Sequence, residues 1–238
     1  MSIQRSRGIP GLGVSVLASA LLMGAAGYAA LYVAPTERSM GDIQRIFYFH
    51  MPSGIIAFIA FTITFVANIL YLVNRAPKSD WLGVSSAEVG VAFTTVMLVT
   101  GPIWGKPVWG VWWVWDARLT TTFILWVLYI CYLLLRGLLD DPERKATVSA
   151  VFGVFAFLDV PLVYMANRWF RTQHPAPVLL GGQNSGLAPE MKWVLLFCFI
   201  ALTGLMLILL RVRYQLEALR YEVSEMKVIA DSGSRASN

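Results

Sequence analysis

The chain has 238 residues, of which 57% are hydrophobic and only 14% are charged, and its mean hydropathy is +0.63. This composition excludes an ordinary soluble domain, in which about a quarter of the residues are charged. The net charge of +5 is not gathered into a patch typical of nucleic-acid binding. We therefore expect an integral membrane protein.

Six apolar runs have the length of about 20 residues that crosses a bilayer as a helix. They are Val14–Val33, Gly54–Val73, Val84–Ile103, Leu119–Leu139, Thr147–Met165 and Met191–Leu210. We interpret the first run as a span, because its apolar part is too long for a cleaved signal peptide. The prediction is an all-α protein with one six-span membrane domain, residues 1–210, and a cytoplasmic helical tail, residues 211–238.

The distribution of basic residues predicts the orientation, since cytoplasmic segments of membrane proteins carry an excess of Lys and Arg. With the N-terminus inside, 12 basic residues fall in cytoplasmic segments and 7 in outer segments. Both termini are therefore predicted to be cytoplasmic. The tail carries a short apolar stripe at helical spacing, from Leu216 to Ala230, which suits either docking on a cytoplasmic partner or a simple solvated or lipid-lying helix.

The chain has two histidines, and both fall in predicted outer loops. His50 precedes Pro52, which suits the first turn of a helix, so we expect His50 at or just before the start of the second span. His174 precedes Pro175, which favours an extended backbone. Neither histidine is predicted within a span. A structural role for each and a role as a pair of ligands both remain open at this point.

The second outer segment, WGKPVWGVWWVWDARLT, holds five of the nine tryptophans in residues 104–120, and we call it the Trp segment. If Pro107 begins a short helix, then Trp109, Trp112, Trp113 and Asp116 share one face. The plain interpretation is an interfacial aromatic belt. Five indoles are costly to leave in water, however, so we expect lipid, a partner or a ligand to cover them.

A flat apolar ligand with anionic edges and a central metal would suit all three outer loops. Haem has this chemistry: His50 and His174 would hold the iron from opposite faces, indoles would cover the macrocycle, and arginines would meet the propionates. Arg118 is expected to hold a propionate or the neighbouring Asp116 through its planar fork. Neither cysteine belongs to a C-x-x-C pair, so thiol redox chemistry and thioether attachment of haem are not expected.

The pattern W-G-x-x-x-W-G-x-W-W-x-W-D-x-R-L-T resembles the WWD signature of the haem-handling proteins of cytochrome c maturation. The segments RIFYFHMPSG and DVPLVYMANRWFRTQHP resemble the histidine motifs of the CcmC family, the six-span subunit of System I. Met51 and Gln173 depart from the residues expected there, Val and Leu. The likeness covers nearly the whole chain from the first span to the sixth.

The resemblance implies a protein that binds haem b transiently at the outer, periplasmic face of the bacterial inner membrane and passes it to the haem chaperone CcmE. It also implies association with the small subunit CcmD and with the ABC transporter subunits CcmA and CcmB. The chain has no nucleotide-binding loop, so the ATPase is expected to be a separate subunit. We expect a transfer factor and not an enzyme.

The resemblance also implies roles for individual residues. His50 and His174 become the axial ligands of the haem iron. The platform for haem and chaperone comprises Trp104, Trp109, Trp112, Trp113, Trp115, Asp116 and Arg118. Supporting polar contacts come from Arg45, Arg168 and Arg171.

Two alternatives compete with haem transfer. An electron-carrying b-type cytochrome subunit would use the same cofactor, but such proteins usually hold haem between histidines inside the membrane. A secondary transporter would use Asp159, an ionisable residue within the fifth run, as its coupling site. Because Pro161 follows closely, Asp159 also suits a structural role, bonding backbone that the proline frees.

Overall fold

The computed structural model describes residues 11–174 and 187–236, which are almost entirely helical. Two short turns flank the first loop, a π-helical turn at Ala29–Val33 and a 3-10 turn at Asp42–Ile46. The helices are α1 Leu12–Tyr28, α2 Phe47–Asn74, α3 Pro77–Trp109, α4 Ala117–Gly137, α5 Pro142–Ala156, α6 Asp159–Trp169 and α7 Pro189–Ala236.

Six helical segments within the described residues are long and apolar enough to cross a membrane, which confirms the six-span prediction. They are Leu12–Val33, Asp42–Asn74, Pro77–Trp109, Ala117–Gly137, Pro142–Trp169 and Pro189–Lys227. The second span begins earlier than predicted, because α2 starts before Pro52 and continues directly from the 3-10 turn. The prediction that His50 lies outside the spans is therefore wrong. A proline removes only one intrahelical hydrogen bond, and membrane helices tolerate that loss.

Small residues allow α2 and α3 to pack closely in the centre of the bundle. A Cβ atom on Gly90 would lie 2.4 Å from Cε1 of Phe61, so only glycine fits at that position. On its other side, the ring of Phe61 stacks on Tyr129 of α4 with centroids 3.7 Å apart. Close packing of this kind drives helix association in a bilayer, where burial of apolar surface from water contributes little.

The fifth span is broken between α5 and α6 at Phe157 and Leu158. Pro161 lies in the first turn of α6 and has no backbone N–H to continue the hydrogen-bond ladder. Asp159 begins α6 and is only 8% exposed, and its Oδ2 atom has no hydrogen-bond partner in the described structure. The expected bond from this oxygen to freed backbone is therefore not made.

Charged residues join the helices at the end of the bundle opposite the Trp segment. Arg136 at the end of α4 donates to both carboxylate oxygens of Asp80 on α3, at 2.6 and 2.8 Å. Arg213 of α7 pairs with Glu88 of α3. Helix α7 passes without interruption through the position where the tail was predicted to begin. The division into a membrane domain and a tail stays a prediction, although the stripe residues Leu219 and Met226 are exposed.

The buried Arg136–Asp80 pair generates a prediction about stability. Its side chains are 11% and 14% exposed, and removing one member leaves the other charge buried without a partner. We expect Asp80→Ala to lower the free energy of unfolding by about 3 kcal/mol, measured by denaturant titration in detergent micelles. The double variant Asp80→Ala/Arg136→Met should lose less of that free energy.

The control variant Arg220→Ala removes the 60% exposed partner of Glu217 and should lower the free energy of unfolding by less than about 1 kcal/mol. Equal losses in the single and double variants would contradict this account.

Candidate functional site

A cavity of about 1150 Å³ opens at the end of the bundle that carries the Trp segment. This volume lies just above the range for small-molecule sites, about 300 to 1,000 Å³. Both histidines line it, although they come from α2 and from the segment after α6. The other predicted site residues in its wall are Trp104, Trp109, Trp112, Trp113, Arg118 and Arg168.

His50 is held by a neighbouring helix. Its Nδ1 atom lies 2.8 Å from the hydroxyl of Thr100 on α3. That hydroxyl also lies 2.7 Å from the carbonyl oxygen of Val96, and when it donates its one hydrogen there it accepts a hydrogen from His50. We infer from this network that Nδ1 of neutral His50 carries the proton. The lone pair of Nε2 is therefore available to a ligand.

His174 lies on a short segment, residues 170–174, that follows α6 and that we call the His segment. Its Nδ1 atom is 3.3 Å from the side-chain amide of Asn167 on α6. The hydroxyl of Thr172 lies 3.3 Å from Oδ1 of Asn167 and 3.4 Å from the carbonyl oxygen of His174. The His segment is therefore folded back on the end of α6.

The Trp segment does not form the predicted short helix. Pro107 lies inside α3, which ends at Trp109, and Gly110 follows with a left-handed φ of 79°. The N–H of Gly110 donates to the carbonyl oxygen of Lys106 at 3.0 Å. This is the glycine cap that commonly ends a helix, and it outweighs the preference of Pro107 for a helix start. The residues from Val111 to Trp115 then run without helical structure, so the predicted single face is wrong.

The indoles of the Trp segment divide between two surfaces. Trp104 and Trp109 meet edge to face with centroids 5.2 Å apart, and Gly105 leaves room for the ring of Trp109. Trp115 is 73% exposed and does not line the large cavity. It lies instead beside a separate apolar groove of about 380 Å³ that also contacts Trp113 and Trp126.

Asp116 connects two loops and does not line the cavity. One carboxylate oxygen accepts from the backbone N–H of Leu119, at 2.8 Å, and so caps the start of α4. The other accepts from the backbone N–H of Gln173 in the His segment, at 2.9 Å. Asp116 and Arg118 form no ion pair within the described residues. The guanidinium group of Arg118 donates to the carbonyl oxygen of Val163 on α6.

The three supporting arginines have different positions. Arg45 does not line the cavity, because its guanidinium group donates to the carbonyl oxygens of Ala30 and Ala34 at the end of the first span, at 2.9 and 3.0 Å. Arg168 lines the cavity with its guanidinium 4.5 Å from the ring centroid of Tyr164. Arg171 is exposed and lies outside the cavity wall.

Sequence reasoning missed Thr100 and Asn167, the polar partners of the two histidines. Both are polar residues near the end of an apolar run, with Thr100 close to the Trp segment and Asn167 seven positions before His174. Their positions hinted at a role at the membrane surface. The spacing of residues on separate helices, however, does not reveal which polar side chain meets which histidine.

Comparison with known proteins identifies the family. Residues 10–229 match the family model described as CcmC, Heme exporter protein C. A protein of that name from Bradyrhizobium diazoefficiens is 32% identical over 89% of this chain and 78% of its own length. The Escherichia coli K12 protein of the same name is 30% identical over 76% of this chain and 73% of its own length. A putative cytochrome c biosynthesis ccmC-like mitochondrial protein from Marchantia polymorpha is 32% identical, with 76% and 78% covered. The chain therefore belongs to the Heme exporter protein C family.

Proposed function

We propose that this protein handles haem in cytochrome c maturation, binding haem b transiently in the large cavity and passing it to the haem chaperone CcmE. The observation that carries the proposal is the meeting of His50 and His174 in the wall of one cavity. Four indoles and the side chains of Arg118 and Arg168 line the same cavity. Family membership and the names of the relatives support the same role.

The lining of the cavity matches the chemistry of haem. Haem iron has two axial positions that imidazoles fill, the macrocycle is flat and apolar, and the propionates are anionic. The Thr100 hydroxyl leaves the Nε2 lone pair of His50 free for iron, and the indoles offer flat apolar walls. Among the described residues, no group of three or more His, Cys, Asp or Glu could hold a bare metal ion. Two histidines suit an iron whose other ligands come from a macrocycle.

We assign the Trp-segment end of the bundle to the periplasmic side of the bacterial inner membrane. The excess of Lys and Arg in the opposite segments supports this orientation. The exposed Trp115 and its groove offer an apolar surface outside the cavity, which suits contact with the chaperone. CcmD, CcmA and CcmB are the further partners that we propose on the basis of family membership.

The axial pair can be tested by changing each histidine. We expect His50→Gly and His174→Gly each to convert the low-spin spectrum of the haem-loaded protein into a five-coordinate or water-ligated one. Added imidazole should restore the low-spin spectrum, because glycine leaves space for it. Optical and electron paramagnetic resonance spectra measure the change.

The control for this experiment is Trp112→Leu, which should weaken haem retention without changing the axial set. If both histidine variants kept the original low-spin spectrum without imidazole, the axial pair would be wrong and Met51 or a partner's side chain would have to serve. A reversible redox cycle with quinol, and no transfer to CcmE, would favour the b-type electron carrier.

The Thr100 hydroxyl should orient His50 and raise its affinity for iron. Removing such a partner of a ligating histidine typically weakens binding about tenfold or more, so we expect a loss of that size for haem in Thr100→Val. Thr100→Ser should restore affinity. The control is Thr62→Val, because the exposed Thr62 hydroxyl bonds only within its own helix. Unchanged affinity and unchanged resonance g-values in Thr100→Val would contradict this role.

Arg118 should use its planar fork to bond the carbonyl of Val163 and a haem propionate together. Lysine cannot copy this geometry, so we expect Arg118→Lys to weaken haem retention about tenfold, although the charge is kept. Dialysis against apomyoglobin measures retention. The matched control is Arg171→Lys, at an exposed position outside the cavity wall. Equal retention in the two variants would remove the argument for a bidentate contact.

A further inference from the structure

The His segment is attached to two parts of the bundle among the described residues. Asn167 and Thr172 tie it to the end of α6. The bond from the N–H of Gln173 to Oδ2 of Asp116 joins it to a different part of the chain, the start of α4. Gln173 immediately precedes His174, so this bond restrains the backbone that carries the imidazole.

The carboxylate of Asp116 is itself fixed. Its Oδ1 atom caps α4 through the N–H of Leu119, so the orientation of the carboxylate plane follows the axis of α4. Oδ2 then points to the His segment, where it accepts at 2.9 Å. An ionised carboxylate accepts stronger hydrogen bonds from backbone N–H groups than a neutral oxygen does.

We propose that Asp116 is a positioning residue that holds His174 at the cavity through the backbone of Gln173, and not a contact for haem or for the chaperone. The proposal rests on the proposed function, because it takes His174 as a ligand of iron. Asp116 ends the tryptophan-rich stretch, so the proposal links the Trp segment to the His segment through one carboxylate.

Two substitutions of Asp116 should remove the hydrogen bond to Gln173 while they keep the cap of α4. Serine and asparagine cap a helix about as well as aspartate, so Asp116→Ser and Asp116→Asn keep the bond to Leu119. A serine side chain is too short to accept from the N–H of Leu119 and from the N–H of Gln173 at the same time. In asparagine, Oδ1 accepts from the N–H of Leu119, and the NH₂ group then faces the backbone N–H of Gln173. Two donors meet there, so no hydrogen bond forms. Both variants therefore lose the restraint on the His segment while α4 keeps its cap.

A second pair of variants leaves Asp116 unchanged. Gln173→Pro removes the N–H that donates to Oδ2, because proline has none. Gln173→Ala keeps that N–H and is the matched control. This pair tests the proposal even if an Asp116 variant fails to fold.

The experiment loads the full-length variants with haem and records optical and electron paramagnetic resonance spectra with and without imidazole. We expect Asp116→Ser, Asp116→Asn and Gln173→Pro to raise the five-coordinate fraction at least about tenfold, with imidazole restoring the low-spin form. Gln173→Ala should match the unmodified protein. A purely structural role for Asp116 would lower the yield of folded protein but leave its spectrum unchanged.

Two results would overturn the proposal, and they have different meanings. If His174→Gly loses its axial ligand while Asp116→Ser, Asp116→Asn and Gln173→Pro all keep the low-spin spectrum, the link fails and the axial pair stands. If His174→Gly itself keeps the unmodified spectrum, the axial pair fails, and the positioning role of Asp116 fails with it.

Discussion

Backbone groups at the ends of helices have no partners within their own helix, and near hydrocarbon each unsatisfied group is costly. The Trp-segment end of this bundle meets that constraint largely with charged side chains. Arg45 bonds the last carbonyls of the first span, Asp116 caps α4, and Arg118 bonds a carbonyl of α6. Lys106 bonds the carbonyl oxygen of Gly110 just past the end of α3, at 2.9 Å. Arg118, which lines the cavity and would attract an anionic ligand, thus also holds the frame of the cavity.

The six spans were predictable because a bilayer requires about 20 apolar residues for each crossing, and hydropathy alone reveals such runs. The ends of the helices were not predictable, because sequence signals for starting and for stopping a helix compete there. Pro52 and Pro107 both suggested helix starts, yet both lie inside helices, and Gly110 provides the stop that ends α3.

The meeting of His50 and His174 could be anticipated from their shared side of the membrane. The role of Arg45 could not be predicted, because the residues around Arg45 do not indicate which helix has carbonyl groups that need a partner. The bond between Asp116 and Gln173 could not be predicted either, because it joins loops far apart along the chain. Packing between helices decides these contacts, and one sequence does not reveal that packing.

The two histidines are held in unlike ways. His50 belongs to a long helix and is bonded to the next one. His174 belongs to a short segment that is hydrogen-bonded to the end of α6 and to Asp116. The two residues proposed as ligands therefore come from elements of different kinds, a membrane-spanning helix and a segment between two helices.

Helix α6 has 11 residues and lies between the turn at Phe157 and Leu158 and the His segment. This helix carries both the carbonyl of Val163 that holds Arg118 and the amide of Asn167 that holds His174. A change in the tilt of α6 would therefore alter a hydrogen bond of one basic group and a hydrogen bond of one imidazole at the same time.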